Sequence, residues 1–252
     1  MHPIFIIAIL SLFRVSSVVE QWTVNPLVVC SNQTPGVRFF IMSAMLNFFK
    51  DPYRHLDRLA IIARTDKSSK KHNYTKVYAS FFDSLKDKRI NFLEIGVQFG
   101  YSIKLWESYF RKANLHFIDI DFSYLIYQPK KAHLHRADQA NQGQLIHVVE
   151  QIAGGIDILI DDGGHTMEQQ QTSFRTLFPY VKPGGLYIIE DLHTSYWSAY
   201  RGNTLMTTVE FLKKEVDALN HPRESEIFSL SFYNSLCVIV KNSSSKSGSA
   251  NK

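Results

Sequence analysis

The chain has 252 residues, 45% of them hydrophobic, with a formal net charge of +5 and a pI near 9.1. That length suits one large domain or a domain with an extension, and the apolar content suits a packed core rather than a disordered chain. The positive charge is spread, apart from clusters at Lys67, Lys70 and Lys71 and at Lys130 and Lys131, all read as solvated surface. No continuous basic stripe and no recognised motif points to nucleic acid.

Two cysteines, Cys30 and Cys237, make neither a CxxC nor a disulfide framework. Cys237 lies in the apolar run Leu236-Cys237-Val238-Ile239-Val240 and is expected to be a buried thiol.

Residues 1–40 form a leader with no amphipathic period. Within it, residues 3–13 are apolar, too short a run to span a bilayer. The run resembles the core of a signal peptide, with Val15-Ser16-Ser17 as a cleavage site. No Lys or Arg precedes it, and Arg14 follows it. Cytoplasmic residence is therefore favoured over a secretory or lumenal one, and no stable membrane span is expected. Sequons at Asn32, Asn73 and Asn242 add little.

A helical cap is expected over residues 41–90. It begins with a helical stretch at 42–63, split at Pro52, with Met45, Phe48, Phe49, Leu56, Leu59 and Ile62 apolar. After a polar loop, 74–85 reads as a helix with Val77, Phe81 and Leu85 on one face. The region 91–241 then alternates. Strands are predicted at 91–95, 115–120, 132–135, 156–160 and 185–189. Helices are predicted at 102–111, with Ile103, Trp106 and Phe110 inward, and at 142–152, 166–178 and 205–219. Gln169, Gln170 and Gln171 are expected on a solvent face. Two last strands, 226–232 and 235–240, flank Tyr233-Asn234 and read as an antiparallel hairpin. Residues 242–252 form a Ser/Lys/Gly-rich tail expected to be disordered. Together these elements give an α/β fold, a Rossmann-like seven-stranded and mostly parallel sheet with a terminal antiparallel hairpin and helices on both faces.

In such sheets ligands bind beyond the carboxyl ends of the strands. The first strand runs into Glu94-Ile95-Gly96-Val97-Gln98-Phe99-Gly100, where Gly96 and Gly100 let the backbone approach a ligand. The second ends at Asp119, placed for ribose hydroxyls. The third leads to Asp138 and Gln139, placed to reach a base. The spacing differs from G-x-G-x-x-G and favours S-adenosylmethionine over NAD.

Two further strands end in acids, Asp161-Asp162-Gly163-Gly164-His165 and Glu190-Asp191. Carboxylates on one rim suit a hard divalent cation, and His165 stands beside them as a candidate base. Adjacent strand-end residues point opposite ways, so one of Asp161 and Asp162 faces the metal. Asp162 is favoured for that role, with Asp161 near the cofactor or bonded to backbone. His193 is an alternative base. Tyr196 and Trp197 read equally as lid, sugar-stacking or core residues, and His72 and Tyr74 as substrate contacts or surface.

The stretch from Ile160 to His165, then Thr172-Ser173-Phe174-Arg175-Thr176-Leu177-Phe178-Pro179, then Lys182-Pro183-Gly184-Gly185 through Glu190-Asp191 to Thr194-Ser195-Tyr196-Trp197 resembles the macrocin and mycinamicin sugar O-methyltransferases. The cephalosporin-hydroxylase-like group is a looser match. The upstream Thr65-Asp66-Lys67, with His72 and Tyr74, resembles the same family's lead-in. The resemblance implies a class I fold, S-adenosylmethionine and Mg²⁺, metal ligands at Asp162, Glu190 and Asp191, and a catalytic histidine at His165. It implies a glycoside or other vicinal diol as acceptor; a phenolic acceptor and a non-catalytic S-adenosylmethionine-binding protein are the alternatives. A homo-oligomer is open. Two departures stand out: Gly164 replaces the family's serine, and the loop after Gly96 is short, which bears on the acceptor.

Overall fold

The computed structural model describes residues 51–202, 204–220 and 225–243. The leader, Cys30, the apolar residues Met45, Phe48 and Phe49, and the tail beyond Ser243 lie outside them.

Pro52 starts a helix, and the part of the expected stretch before Asp51 lies outside the described residues. In α1 (Pro52–Ala63) the proline occupies the first turn, where a missing N–H costs nothing, and Asp51 Oδ1 accepts from Tyr53 N at 3.0 Å as the cap. A loop leads to α2 (Tyr74–Phe82). Its buried face is Tyr74, Thr75, Tyr78, Ala79 and Phe82, while the expected Val77, Phe81 and Leu85 are only partly buried. On α1, Leu56 is buried but Ile62 is 56% exposed.

The alternating region follows. It comprises β1 (Asn91–Ile95), α3 (Tyr101–Tyr109), β2 (Asn114–Asp119), β3 (His133–Arg136), α4 (Gln142–Val149), β4 (Ile156–Asp161), α5 (Met167–Leu177), β5 (Val181–Ile189), α6 (Thr208–Leu219), β6 (Ile227–Tyr233) and β7 (Leu236–Lys241). The seven strands lie in the order β3-β2-β1-β4-β5-β7-β6. β1 to β5 pair in parallel, and β7 pairs antiparallel with both β5 and β6. The two-residue connection is Asn234-Ser235, one position later than expected, with Ser235 in the left-handed region at φ 59°. No helix among the described residues is long and apolar enough to cross a membrane.

Strand pleating divides the core in two. Phe92, Phe117, Ile158, Ile160 and Ile188 face α1, α2 and α3, where Tyr78, Phe82, Trp106 and Phe110 form an aromatic cluster. Leu93, Ile118, Leu159, Tyr187 and Ile189 face α4, α5 and α6. Cys237 is fully buried on this second face, as its apolar run requires.

The glutamines of α5 are not surface. Gln170 and Gln171 are 0% and 4% exposed because they share the helical face of Met167 and Phe174. Their amide nitrogens donate to Glu190 O and Met206 O, both at 3.0 Å, so each buried NH₂ group goes inward with a partner, while Gln170 Oε1 has none. Gln169 instead completes a capping box with Thr166 at the helix start.

Candidate active site

The chain reverses its direction of sheet growth between β1 and β4, and this switch point opens a crevice at the strand carboxyl ends. A cavity of about 620 Å³ lies there, a volume ordinary for a small-molecule site. Gly96, Asp119, Asp138, Gln139, Asp162, His165 and Asp191 line it.

At one end, Asp119 organises the glycine loop. Its Oδ2 accepts from Val97 N at 2.8 Å and Gln98 N at 3.1 Å, and its Oδ1 from Asp121 N at 3.1 Å. Gly96 has φ 86°, and a Cβ there would lie 2.0 Å from Asp162 O. Only glycine lets the ends of β1 and β4 approach so closely. Gly100 heads α3 in the left-handed region at φ 81°. Asp138 is partly engaged by its own turn, its Oδ1 accepting from Ala140 N.

At the other end, Asp162, His165 and Asp191 offer ligand atoms that all lie within 4.8 Å of one another. His165 Nε2 is 3.5 Å from Asp191 Oδ2, and Tyr74 donates to Asp191 Oδ1 at 2.6 Å. His165 and Asp191 both carry a left-handed backbone, φ 58° and 55°, an unusual state for side chains that clusters at functional sites. Thr194 Oγ1 donates to His165 O at 3.0 Å, tying the turn after β5 to the loop after β4. His165 Nδ1 is buried without a hydrogen-bond partner. Hard carboxylate oxygens converging on a polar cavity fit a small divalent cation.

The three acids expected as metal ligands fall into two groups that share Asp162, one with His165 and Asp191 and one with Glu94 and Glu190. Asp162 and Asp191 meet at His165, but Glu190 Oε1 accepts from Lys67 Nζ at 2.7 Å and from the Tyr78 hydroxyl. Lys67 is the largest departure from expectation. It is not solvated but fully buried, with Nζ 2.5 Å from Asp162 Oδ2 and 3.3 Å from Glu94 Oε1 as well. Burial alone would lower its pKa, but Asp162, Glu190 and Glu94 together lift it well above the usual value. Burial in turn raises the Glu94 carboxyl to about 7, against the pull of Lys67.

Several expected ligand contacts take other roles. Asp161 does not reach the cavity. It is fully buried and accepts from Gln139 Nε2 at 2.5 Å, from Tyr187 at 3.3 Å and from Ser173. Burial pushes its pKa up to about 6. Gln139 passes the connection on, its Oε1 accepting from Gly164 N at 3.0 Å. Glu94 is buried beside Lys67 and, unlike Lys67, does not line the cavity, and Tyr74 is 3% exposed. His72 stacks on Tyr74 with centroids 5.1 Å apart. Tyr196 and Trp197 are 76% and 52% exposed, so they are not core residues; Trp197 packs edge-on to His193 at 4.7 Å. Tyr78, missed in the sequence, lies one helical turn from Tyr74, and that spacing was its available signal.

This open sheet with its terminal hairpin, glycine loop and strand-end acid at the switch point defines a class I S-adenosylmethionine-dependent methyltransferase fold. Residues 93–192 match the family described as a methyltransferase domain, and the chain carries that domain. It is similar to the 8-demethyl-8-alpha-L-rhamnosyl tetracenomycin-C 2'-O-methyltransferase of Streptomyces olivaceus, 36% identical over 200 residues covering 70% of this chain and 52% of that protein. It is also similar to the demethylmacrocin O-methyltransferase of Streptomyces fradiae, 31% identical over 216 residues covering 73% and 52%. Among solved structures it resembles the MycE methyltransferase of the mycinamycin biosynthetic pathway in complex with Mg, SAH and mycinamycin VI. The TM-score is 0.68 at 30% identity, covering 77% of this chain and 56% of that one. The chain thus spans about half the length of these relatives.

Proposed function

We propose that the chain is a Mg²⁺- and S-adenosylmethionine-dependent O-methyltransferase acting on a hydroxyl of a glycoside or other vicinal diol. The observation that carries this reading is the convergence of Asp162, Asp191 and His165 at one end of a cavity whose other end is the Asp119-braced glycine loop. The relatives that methylate glycosylated compounds and the Mg- and SAH-bound MycE structure support it.

The glycine loop and Asp119 would hold the nucleoside end of S-adenosylmethionine, and Asp162 and Asp191 a divalent cation. A cation there supplies Lewis acidity to an acceptor hydroxyl. His165 takes the proton from that hydroxyl, and Asp191, fixed by Tyr74, orients the imidazole and stabilises its charged form. S-adenosylmethionine held at the glycine loop would supply its sulfonium methyl to that oxygen and leave as S-adenosylhomocysteine, and the residues' part is to position the two, which supplies much of the rate. His193 and Trp197 stand as acceptor-side contacts beyond the turn.

The test is methyl transfer from labelled S-adenosylmethionine to a panel of rhamnosides and other glycosides, with Mg²⁺ or with EDTA, for wild type and His165→Ala. Glycoside methylation abolished by EDTA and by the substitution is expected. Transfer only to phenols, or no transfer by protein that binds the cofactor, would refute the glycoside reading.

A further inference from the structure

Two residues of the site stand in a backbone state that side chains rarely adopt. His165 has φ 58° and Asp191 φ 55°, and each needs contacts that hold it there. They sit on different loops, one after β4 and one after β5. The last main-chain bond between these strands is Glu190 N to Asp161 O at 3.0 Å. Past it the two chains part, and the spacing of His165 and Asp191 needs another source.

Thr194 joins them. It lies in the short 3₁₀ turn Leu192–Tyr196 and is 2% exposed, so water cannot stand in for its bonds. Its Oγ1 is 2.9 Å from Asp191 O and 3.0 Å from His165 O, so one hydroxyl hydrogen is shared between the carbonyls of both left-handed residues. The bond to Asp191 O, three residues back, is one that a threonine in any helical turn can make. Thr194 N also donates to Asp191 O at 3.0 Å, so that side of the turn is closed without the hydroxyl. The bond to His165 O, 29 positions away, is different. Among the described residues it is the hydrogen bond that reaches from the turn after β5 to the main chain of the His165 loop. Thr194 does not line the cavity, so it works through the residues it holds.

We propose that Thr194 is a positioning residue whose hydroxyl clamps the main chains of His165 and Asp191. The clamp brings His165 Nε2 to 3.5 Å from Asp191 Oδ2 and keeps both aimed at the acceptor end of the cavity. This rests on the methyl-transfer reading, and it adds the side chain that assembles base and carboxylate from two loops. Thr194→Val keeps the shape and loses the donor. Thr194→Ser keeps the donor and loses a methyl group.

The test compares wild type with both variants by calorimetric titration of Mn²⁺ and of S-adenosylhomocysteine, and by kinetics on the glycoside that wild type methylates fastest. Thr194→Val should weaken Mn²⁺ binding about tenfold and lower kcat by roughly 10–100-fold, the loss expected when a partner that orients a ligand is removed. Its Kd for S-adenosylhomocysteine and its KM for S-adenosylmethionine should stay within about twofold of wild type, because the glycine loop is untouched. Thr194→Ser should restore Mn²⁺ affinity and kcat. If Thr194→Val does not fold, Thr194→Cys, a weak donor of similar size, carries the same expectations. A folded variant without the hydroxyl that matches wild type in Mn²⁺ affinity and kcat overturns the proposal, as does a serine variant that fails alongside it. Wild type that neither binds Mn²⁺ nor transfers methyl would sink the methyl-transfer reading instead. The clamp is then decided by the imidazole resonances of His165 in histidine-labelled protein: a shift in Thr194→Val that Thr194→Ser lacks sustains it, and unmoved resonances overturn it.

Discussion

Asp119→Ala is the substitution whose effect the geometry specifies most fully. The carboxylate accepts three backbone N–H bonds, two from the glycine loop and one from Asp121. Hydrogen bonds to a charged acceptor contribute about 1.5–3 kcal/mol when well shielded. Asp119 is half-buried and water can replace part of each bond, so about 1 kcal/mol apiece is appropriate, or roughly 3 kcal/mol together. Most of that loss falls on the order of a loop that must be in place before the cofactor binds. About 3 kcal/mol corresponds to roughly a 100-fold rise in Kd. Asp119→Asn keeps one carbonyl oxygen for the loop and should lose only about tenfold. The assay is calorimetric titration of S-adenosylhomocysteine, which is not turned over, into wild type and both variants, with circular dichroism to verify the fold. An Asp119→Ala protein that is folded and binds within twofold of wild type would refute the reasoning, since the loop would then be held by something else.

Gly96→Ala should cost roughly 2–5 kcal/mol, combining a left-handed backbone penalty with overpacking against Asp162 O, and should abolish S-adenosylhomocysteine binding; thermal denaturation and calorimetry read both. His116 stacks between His133 and His135, and burial, with those two neighbours, lowers its pKa to about 4. It is neutral in the folded state but takes a proton in the unfolded chain below about 6.5, so its stabilising effect is full above that pH and lost as pH falls toward 4. Between pH 7.5 and 5 the wild type should therefore lose about 2 kcal/mol more than His116→Leu, measured by urea unfolding at each pH. Cys237 is fully buried and its thiol is pushed up to about 12, so alkylation of the native protein followed by peptide mass spectrometry should leave it unmodified until denaturant is added.

Much of the sheet was legible because buried parallel strands are short apolar runs and the acids at their ends interrupt them abruptly. Asn91–Ile95 was readable to the residue, and the terminal hairpin to within one position. The helices were legible as elements but less well as faces. On α2 the sequence offers two apolar stripes, and tertiary packing chose Tyr74, Tyr78 and Phe82; the Tyr74 and Tyr78 hydroxyls pair with Asp191 and Glu190 while all three rings fill the core. Lys67 was illegible for a different reason. Its three partners are at positions 94, 162 and 190, at the ends of three strands, so its burial cannot be read locally, although Thr65-Asp66-Lys67 resembles the family's lead-in. The same holds for Gln170 and Gln171, whose partners are main-chain carbonyls from later segments.

The two acidic doublets obey one rule, which the pleat of the sheet imposes. Along β4, Ile158 and Ile160 face the first helical layer and Leu159 the second, so Asp161 continues on the second side, among Ser173 and Tyr187. Along β5 the alternation has Ile188 on the first side and Ile189 on the second, so Glu190 falls on the first, against Tyr78 and Lys67. The first strand behaves likewise, Glu94 following Phe92 to the side of Lys67. In each doublet the inner acid is therefore committed to a helical layer, where it ties that layer to the sheet. The next residue, Asp162 or Asp191, is the first free of the pleat and turns into the cavity. In each doublet the inner acid thus packs against a helical layer and the outer acid lines the cavity. Because the two strands end on opposite phases, their inner acids brace opposite faces, and the outer pair is clamped between two braced layers with His165 beside it.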